Sequence, residues 1–586
     1  AAKLFISRSQ QANSRLLNFD GQQQAAINLI CKLVDGMPLG IEMAAAWSDL
    51  LQPSEIAQEI QKNLDFLTAN KKDIPEKHTS MRIIFNHTWQ GLSDEDKLLY
   101  CRAAVFQGKF DLRAAVAILE TSLSELSRLI DRSLLRRNQS GYFSMHTLAR
   151  QFGTEKLIQR KELFQDTSEK YYRYYVELMI QQQEALLGAD MIRARDEIRP
   201  FLVNIQSAML LASTKMKKND LLKVLTASLT FYTLHGWYEG VLFFRQMEET
   251  RRKWLVSRNN KDIELDDILL TLQMVQAYWL VNLGNIEESE KISNKCLPML
   301  QRPETREQLS LCLHNLGVAA SFRGEIEKAM HLLENAVLLG REVGCFYWPT
   351  YLFWLGHAYF LKGEYEQGLA TLKKSYDLFK KSETLWGYAF AVTKMGLAED
   401  SLGQHEMALR HQNEGLQIFN KLGYPSGTAY CYSRMSLSTF FLGQYQDSIN
   451  FAKQGYDIFI TLGHSWGICT SLCRLGFAYL GLEETQKAKA NFTESIKLSL
   501  KIKMTPVSLY ALLGLACILI MEGKDQIGQA LISYIRGNPK TPDAFLQQAA
   551  QWVPDPINVG LNYFEKDTPM EEIIELALAH TMSVTS

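Results

Sequence analysis

Five stretches decide the fold: LHNLGVAASFRGEIEKAM (313–330), FWLGHAYFLKGEYEQGL (353–369), TKMGLAEDSLGQHEMAL (393–409), SRMSLSTFFLGQYQDSI (433–449) and CRLGFAYLGLEETQKAK (473–489). A small residue recurs at Gly317, Gly356, Gly396, Ser436 and Gly476, in steps of 39, 40, 40 and 40. A glycine recurs at Gly284, Gly324, Gly363, Gly403 and Gly443. Five positions after it stands another small residue, at Ser289, Ala329, Gly368, Ala408 and Ser448, and Ala488 continues the series five positions after Glu483. So regular a period, running from about residue 270 to 530, predicts a solenoid of helix pairs. The first small residue lets helix A of a pair approach helix B, and the glycine supplies positive φ in the turn between them. The second small residue sits where a larger side chain would push the pair apart. In one B helix, Ile326, Ala329, Met330, Leu333, Ala336 and Val337 share a face, the apolar stripe that stacking needs.

The rest of the 586 residues agree with an all-α chain of several domains. Apolar residues at 47% and charged residues at 22% exclude wholesale disorder. A net charge of −1 supplies no global field for nucleic acid or anionic lipid. Nine scattered cysteines without a CxxC pair argue against a disulfide framework or zinc knuckle, and predict a cytoplasmic chain. The longest nearly pure apolar run, Ala511 to Met521, is about half the length that spans a bilayer, so no membrane partner is expected.

Ahead of the repeats, Ser93 and the acidic turn Asp94-Glu95-Asp96 cap a helix, and two more helices follow, one near 111–119 and one with Leu126, Leu129, Ile130 and Leu134 on one side. RRNQSGYFSMH (136–146) then offers the chain's one hairpin signal. Three helices and a hairpin predict a winged helix. The expected organisation is a helical subdomain (1–90), a winged helix (91–160), a helical linker (161–260), the repeat array (261–540) and a C-terminal helical cap (541–586).

Leu355, Gly356, Tyr359, Gly363 and Gly368 resemble the landmarks of tetratricopeptide repeats, with a period of 40 rather than 34 and no terminal proline. Upstream, DGMPLGIEMAAAW (35–47) resembles the Gly-x-Pro-Leu motif of STAND-class, NB-ARC-like signal-transduction ATPases. LSDEDKLLYCRAAVFQGKFDLRAAVAIL (92–119), LSRLIDRSLLRR (126–137), SMHTLARQFGTEKL (144–157) and IRPFLVNIQSAM (198–209) resemble later elements of that family, in the same order. No G-x-x-x-x-G-K-(Ser/Thr) loop occurs. The chain therefore reads as the portion after the P-loop core, with no catalysis expected from it alone. The resemblance implies ADP or ATP as cofactor of an intact parent protein, with none held tightly by this chain. It places Gly36 and Pro38 at the adenine-side lip of the nucleotide pocket and His146 against the β-phosphate. Thr147 stands where the family has Asp. Local chemistry alone reads Gly36 and Pro38 as a helix boundary and His146 as a packed junction residue.

Arg128, Arg132, Arg136 and Arg137 are interrupted by Glu125 and Asp131, the pattern of a solvated face, so no direct nucleic-acid contact is expected. Cys469 and Cys473 lack the second pair of ligands that zinc requires. Trp348, Trp386 and Trp466 stand near equivalent repeat positions, with Ser426 between the last two, and are expected either to anchor a partner or to pack between repeats.

The function expected is the regulatory and sensor portion of a STAND switch, with output in bacterial transcription. A protein, peptide or small-molecule inducer would bind the repeats, and the winged helix would transmit that event to an upstream nucleotide-binding core and effector domain. Ligand-induced self-association fits such a switch. The alternatives are a non-catalytic interaction scaffold and the sensor of a defence or cell-death protein.

Overall fold

The computed structural model describes residues 1–12, 20–34, 38–49, 51–62, 81–216, 218–259, 262–538 and 568–582, with Gly36, Lys540, Thr541, Leu546 and Ala549 between them. Among the described residues the fold is all-α apart from one two-stranded hairpin. Two compact units divide it: 1–181 with 196–217, and 182–195 with 218–586.

In the first unit, polar caps set the helix starts. Helix α2 (Gly21–Leu33) opens with a reciprocal capping box between Asp20 and Gln23. Ser93 caps α6 (Asp94–Ala103), Asp111 caps α7 (Leu112–Leu119), and Ser122 with Glu125 boxes α8 (Leu123–Asp131). Strands β1 (Arg136–Arg137) and β2 (Phe143–Ser144) pair antiparallel, Arg137 opposite Phe143, around a turn whose Gly141 has φ +83°. Phe143 also bridges Phe110, so the small wing is anchored to its helices. This is the expected winged helix.

The expected linker 161–260 is not one element. Helices α10 (Lys161–Gln181) and α13 (Leu202–Lys215) pack together in the first unit. Buried Asn204 ties them to the winged helix: its Oδ1 accepts from the backbone N–H groups of Gln107 and Gly108 at 2.8 and 3.0 Å, and its Nδ2 donates to the Lys109 carbonyl at 2.8 Å. Next to it Phe106 stacks on Phe110, and the Tyr171 ring meets Phe106 edge-on.

In the second unit the array begins at 218 rather than 261. Helices α14 (Lys218–His235) and α15 (Trp237–Ser257) form a pair of their own. A Cβ at Gly240 would stand 2.9 Å from the Trp279 ring, so this glycine allows α15 to close on α16 (Asp267–Asn282). That pair lacks the landmarks of the later repeats and so escapes the 40-residue register. Seven further pairs follow: α16 with α17 (Ile286–Cys296), α18 (Arg306–Arg323) with α19 (Ile326–Glu342), α20 (Trp348–Lys362) with α21 (Tyr365–Lys381), α22 (Leu385–Ser401) with α23 (His405–Leu422), α24 (Pro425–Phe441) with α25 (Tyr445–Leu462), α26 (Ser465–Gly481) with α27 (Thr485–Lys501), and α28 (Thr505–Met521) with α29 (Asp525–Gly537). Segment 182–195 lies on this unit: the Thr384 hydroxyl donates to the Leu187 carbonyl at 2.8 Å, and Arg195 to the Leu422 carbonyl at 2.7 Å. Much of the expected cap 541–586 falls outside the described residues. Its helix Met570–Met582 packs on α28 and α29.

Each small anchor is a point of close approach. A Cβ at Gly317 would lie 2.7 Å from Leu333, and one at Gly356 the same distance from Leu372. Where the anchor is Ser436, its hydroxyl hydrogen-bonds Ser448 at 3.0 Å. All three partners lie on the paired B helix. Replacing Gly356 by Leu should therefore wedge α20 from α21 and destabilise the array by about 1–3 kcal/mol. Hydrogen exchange should show lost protection in these two helices and their immediate neighbours, with distant repeats unchanged.

A candidate binding cavity among the A helices

The A helices are buried almost all round, because each is flanked by B helices and by the A helices before and after it. In α20 and α22 nearly every residue of the central turns is inaccessible. One face remains free to line a space. Thr350, Phe353, Trp354 and His357 occupy it on α20, at the i, i+3, i+4, i+7 spacing of a single helical face. Phe390, Thr393 and Lys394 repeat its first three positions on α22, with Trp386 one turn before them, while Tyr430 and Arg434 continue it on α24. Tyr278 and Asn282 of α16, Phe322 of α18, Trp466 of α26 and Trp237 of α15 complete the wall. The cavity has about 810 Å³ of empty volume, counting the space continuous with solvent.

His464 fastens this wall together. Its Nδ1 accepts from the Gly467 N–H at 3.0 Å as the cap of α26, which leaves the proton on Nε2. Nε2 faces the Asn282 carbonyl of α16 at 3.3 Å and the Tyr430 hydroxyl at 3.1 Å. Residues 182 positions apart thus meet across the array, which has curled until its early and late A helices adjoin. Burial pushes the His464 pKa down to about 4.

Two cations project into this largely aromatic cavity. The Lys394 ammonium lies 5.6 and 5.9 Å from the ring centroids of Phe353 and Trp354. The Arg434 guanidinium lies 6.0 Å from that of Trp466. In the next repeat Arg474 is buried, its Nε donating to the Ser433 hydroxyl at 3.2 Å while Nη1 has no partner. Lys394, Arg434 and Arg474 are spaced by 40 residues and occupy one repeat position, two before the small anchor. Burial, then repulsion from Arg434 and Arg474, depresses the Lys394 pKa far below that of an ordinary lysine. Burial and Arg474 push Arg434 down to about 9. The carboxylate that acts on both arginines is Asp400, which already accepts from Ser438 at 2.7 Å and Gln412 at 3.2 Å and contacts His405.

The three tryptophans expected at one site separate. Trp386 and Trp466 line the cavity, the first 5% exposed with its indole N–H unpartnered, the second half-buried beside Tyr430. Trp348 lies instead in another cleft, with Cys345, Phe346 and Leu378. The reason is register: 40 residues before Trp386 stands Phe346, and two residues of helix turn a side chain through about 200°. Sequence reasoning passed over Lys394, Arg434 and Arg474, although the 40-residue step that located the anchors also runs through them.

In the first unit, His146 caps α9 (Thr147–Ile158), its Nδ1 accepting from the Leu148 N–H at 3.1 Å. The Val34 carbonyl lies close enough to favour a protonated ring, yet buried Nε2 has no well-formed hydrogen bond. Burial and Arg136 hold the His146 pKa at about 4. The ring thus stands at the end of α2, two residues before Gly36, whose φ is +68°. Pro38 begins α3 (Pro38–Ala46). Among the described residues no group of three His, Cys, Asp or Glu side chains is placed to hold a metal, and no helix is long and apolar enough to cross a membrane.

The model of the tetratricopeptide repeat family matches residues 349–381 and 470–501, which fall on α20–α21 and α26–α27. An uncharacterised protein of Mycobacterium tuberculosis is 28% identical over 176 residues, 28% of this chain and 44% of its own length. A protein named as an HTH-type transcriptional regulator of the same organism is 28% identical over 189 residues, covering 30% of this chain and 21% of that protein. The chain thus spans less than half the length of these curated relatives. The crystal structure of a Signal Transduction ATPase with Numerous Domains (STAND) protein with a tetratricopeptide repeat sensor from Pyrococcus horikoshii superposes with a TM-score of 0.50. It covers 92% of this chain and 72% of its own at 13% identity, a likeness of fold.

Two buried histidines of the array make its stability depend on pH. Burial holds both His314 and His464 at about 4, against an ordinary value of 6.5. The folded state therefore favours neutral rings. Its full stability is present above pH 6.5 and is lost as pH falls towards 4, where the unfolded chain binds the extra protons. The effect is on the order of 3 kcal/mol for each ring. Urea melts at pH 7 and 4.5 should show the array's midpoint falling at the lower pH, and His464→Asn should remove part of that fall.

Proposed function

We propose that this chain is the sensing portion of a STAND-type signalling switch, whose repeats receive a ligand in the cavity between the A helices. The observation that carries the reading is the cavity itself: four indoles and two basic side chains inside a tetratricopeptide-like array that needs none of them to stack its helix pairs. Thr350 Oγ1 and the indole N–H groups of Trp237 and Trp386 are buried without partners, the kind of polar group that orients a ligand inside an apolar cavity. The fold shared with a STAND protein bearing a repeat sensor and the partial relationship to a transcriptional regulator both support the reading. Transcriptional output is the form of signalling these relationships favour.

A ligand acts on such a switch by binding one packing of the array more tightly than another. The curl fixed by His464 between α16 and α26 is the element whose closure a ligand in the cavity would favour, because their side chains share its wall. In the first unit, His146 would offer Nε2–H to a phosphate oxygen of a nucleotide, with the Gly36–Pro38 turn beside it. Such a nucleotide, when bound, supplies the energy of phosphate hydrolysis to reset a switch. One imidazole donor and one turn do not make a phosphate cradle, so these residues contribute to nucleotide affinity without providing it.

Two measurements test the proposal. Hydrogen exchange on the chain, with and without a cavity-sized aromatic ligand found by thermal-shift screening, should show protection gained in α16, α20, α22, α24 and α26. Protection confined to the exposed faces of the B helices would favour an interaction scaffold instead. Titration calorimetry with ADP should give no binding tighter than about millimolar, on the order of −4 kcal/mol. Nanomolar affinity would contradict the assignment of His146 and the Gly36–Pro38 turn as accessory contacts.

A further inference from the structure

The sensor proposal leaves the chemistry of the ligand open, and the charges of the cavity narrow it. Lys394 and Arg434 line the cavity from successive A helices, with Arg474 buried in the next repeat. Neither Lys394 nor Arg434 has a hydrogen-bond or ion-pair partner among the described residues beyond the aromatic faces. Arg474 has one hydroxyl for five N–H donors. Asp400 is the carboxylate that acts on the arginines, so three basic side chains face one acidic one, which is already engaged by Ser438, Gln412 and His405.

Helix stacking does not explain this arrangement. Trp354 occupies the same repeat position one step earlier and Asn315 the step before that, so the position accepts neutral side chains of several shapes. Buried like charges repel one another and lose hydration, and a structural role would pair them with carboxylates. Neutral His357 adds to the picture: burial, then Lys394 and Arg434, hold its pKa well below 6.5, so it brings no compensating charge, and its Nδ1 has no partner. What relieves a basic wall inside an aromatic cavity is an anion that enters with an apolar body. Hydrogen bonds between such charged groups are stronger than neutral ones, and a narrow aromatic space between packed helices admits a small molecule rather than a folded partner.

We propose that the cavity binds a small organic anion, its carboxylate or phosphate held between Lys394 and Arg434 and its flat apolar body lying among Trp354, Trp386, Phe390 and Trp466. This rests on the sensor proposal and specifies its ligand. Arg474 strengthens the positive potential from behind without touching the ligand. The indole N–H of Trp386 and the Thr350 hydroxyl are donors available to the ligand's remaining acceptors.

Three probes of one shape test this on the full chain: 1-naphthoate, 1-naphthyl phosphate and the neutral 1-naphthamide, titrated at pH 7.5 with tryptophan fluorescence and calorimetry as readouts. At least one anion is expected to bind tenfold or more tighter than the amide, and the tighter anion identifies the head group as carboxylate or phosphate. Lys394→Gln and Arg434→Gln should each remove most of that preference while leaving amide binding within threefold and the melting temperature unchanged or raised. Arg434→Lys, which keeps the charge, should retain the preference and guards against a loss caused by misfolding. Equal binding of anion and amide, or a preference that survives the double glutamine variant, would overturn the anion assignment and leave the cavity as a neutral-ligand sensor. Failure of all three probes to bind would overturn the assignment and count against the sensor proposal as well.

Discussion

The contact on which the array depends is the close approach of each A helix to its B helix at a residue without a bulky side chain. Gly356 against Leu372 is one instance and Ser436 against Ser448 another. Because the same distance is imposed at every step, each pair leans on the next by a similar rotation, and small rotations accumulate. After several repeats the A helices face a shared space, and His464 of α26 reaches the end of α16. Cavity and curl follow from one local constraint repeated. A single side chain too large at an anchor would disturb both.

Curling also determines what the A helices can carry. A surface helix has a wet face on which charges are ordinary. These helices have none, so a charged residue on them is desolvated wherever it points. The acids resolve this locally: His411 sits 2.8 Å from Glu399, and Asp400 gathers a hydroxyl, an amide and His405. Lys394 and Arg434 find ring faces instead, which attract a cation more weakly than a carboxylate would. That contrast within α22 itself, with Glu399 and Asp400 partnered and Lys394 left to aromatics, separates charge used for structure from charge held available.

The sequence made the solenoid legible because its landmarks are small residues at fixed intervals, and no tertiary information is needed to count intervals. The winged helix was legible from its caps and hairpin turn. Two things were not. The pair α14–α15 joins the array through Gly240 and Trp279, a contact between pairs that leaves no periodic trace. Likewise Asn204 fastens α13 to the loop at 107–109, about 95 residues away in sequence, through hydrogen bonds that composition does not foreshadow. The cavity is an intermediate case. Trp386 and Trp466 stand out by residue type, but Trp348, taken with them for the same reason, is two positions off the step and faces a different cleft. Position within the period is the better guide, and it leads directly to Lys394, Arg434 and Arg474.

A solenoid is well suited to hold such a cationic step. In a globular domain with one core, two buried guanidinium groups beside a partly buried lysine would strain contacts shared by the whole molecule. In a quasi-one-dimensional array each repeat answers mainly to its neighbours, so an unfavourable position is confined to α22, α24 and α26 and offset by the packing of the pairs on either side. The affected helices are in the middle and later part of the array, flanked by α16–α21 before and by α28–α29 after, where α28 is buried from Pro506 to Leu519. Binding of a counter-anion would then stabilise the very repeats that the charges weaken. Because α16 and α26 share the same wall, a local relief of repulsion would be felt as a tightening of the curl, which is the physical change a sensor needs in order to report that its ligand has arrived.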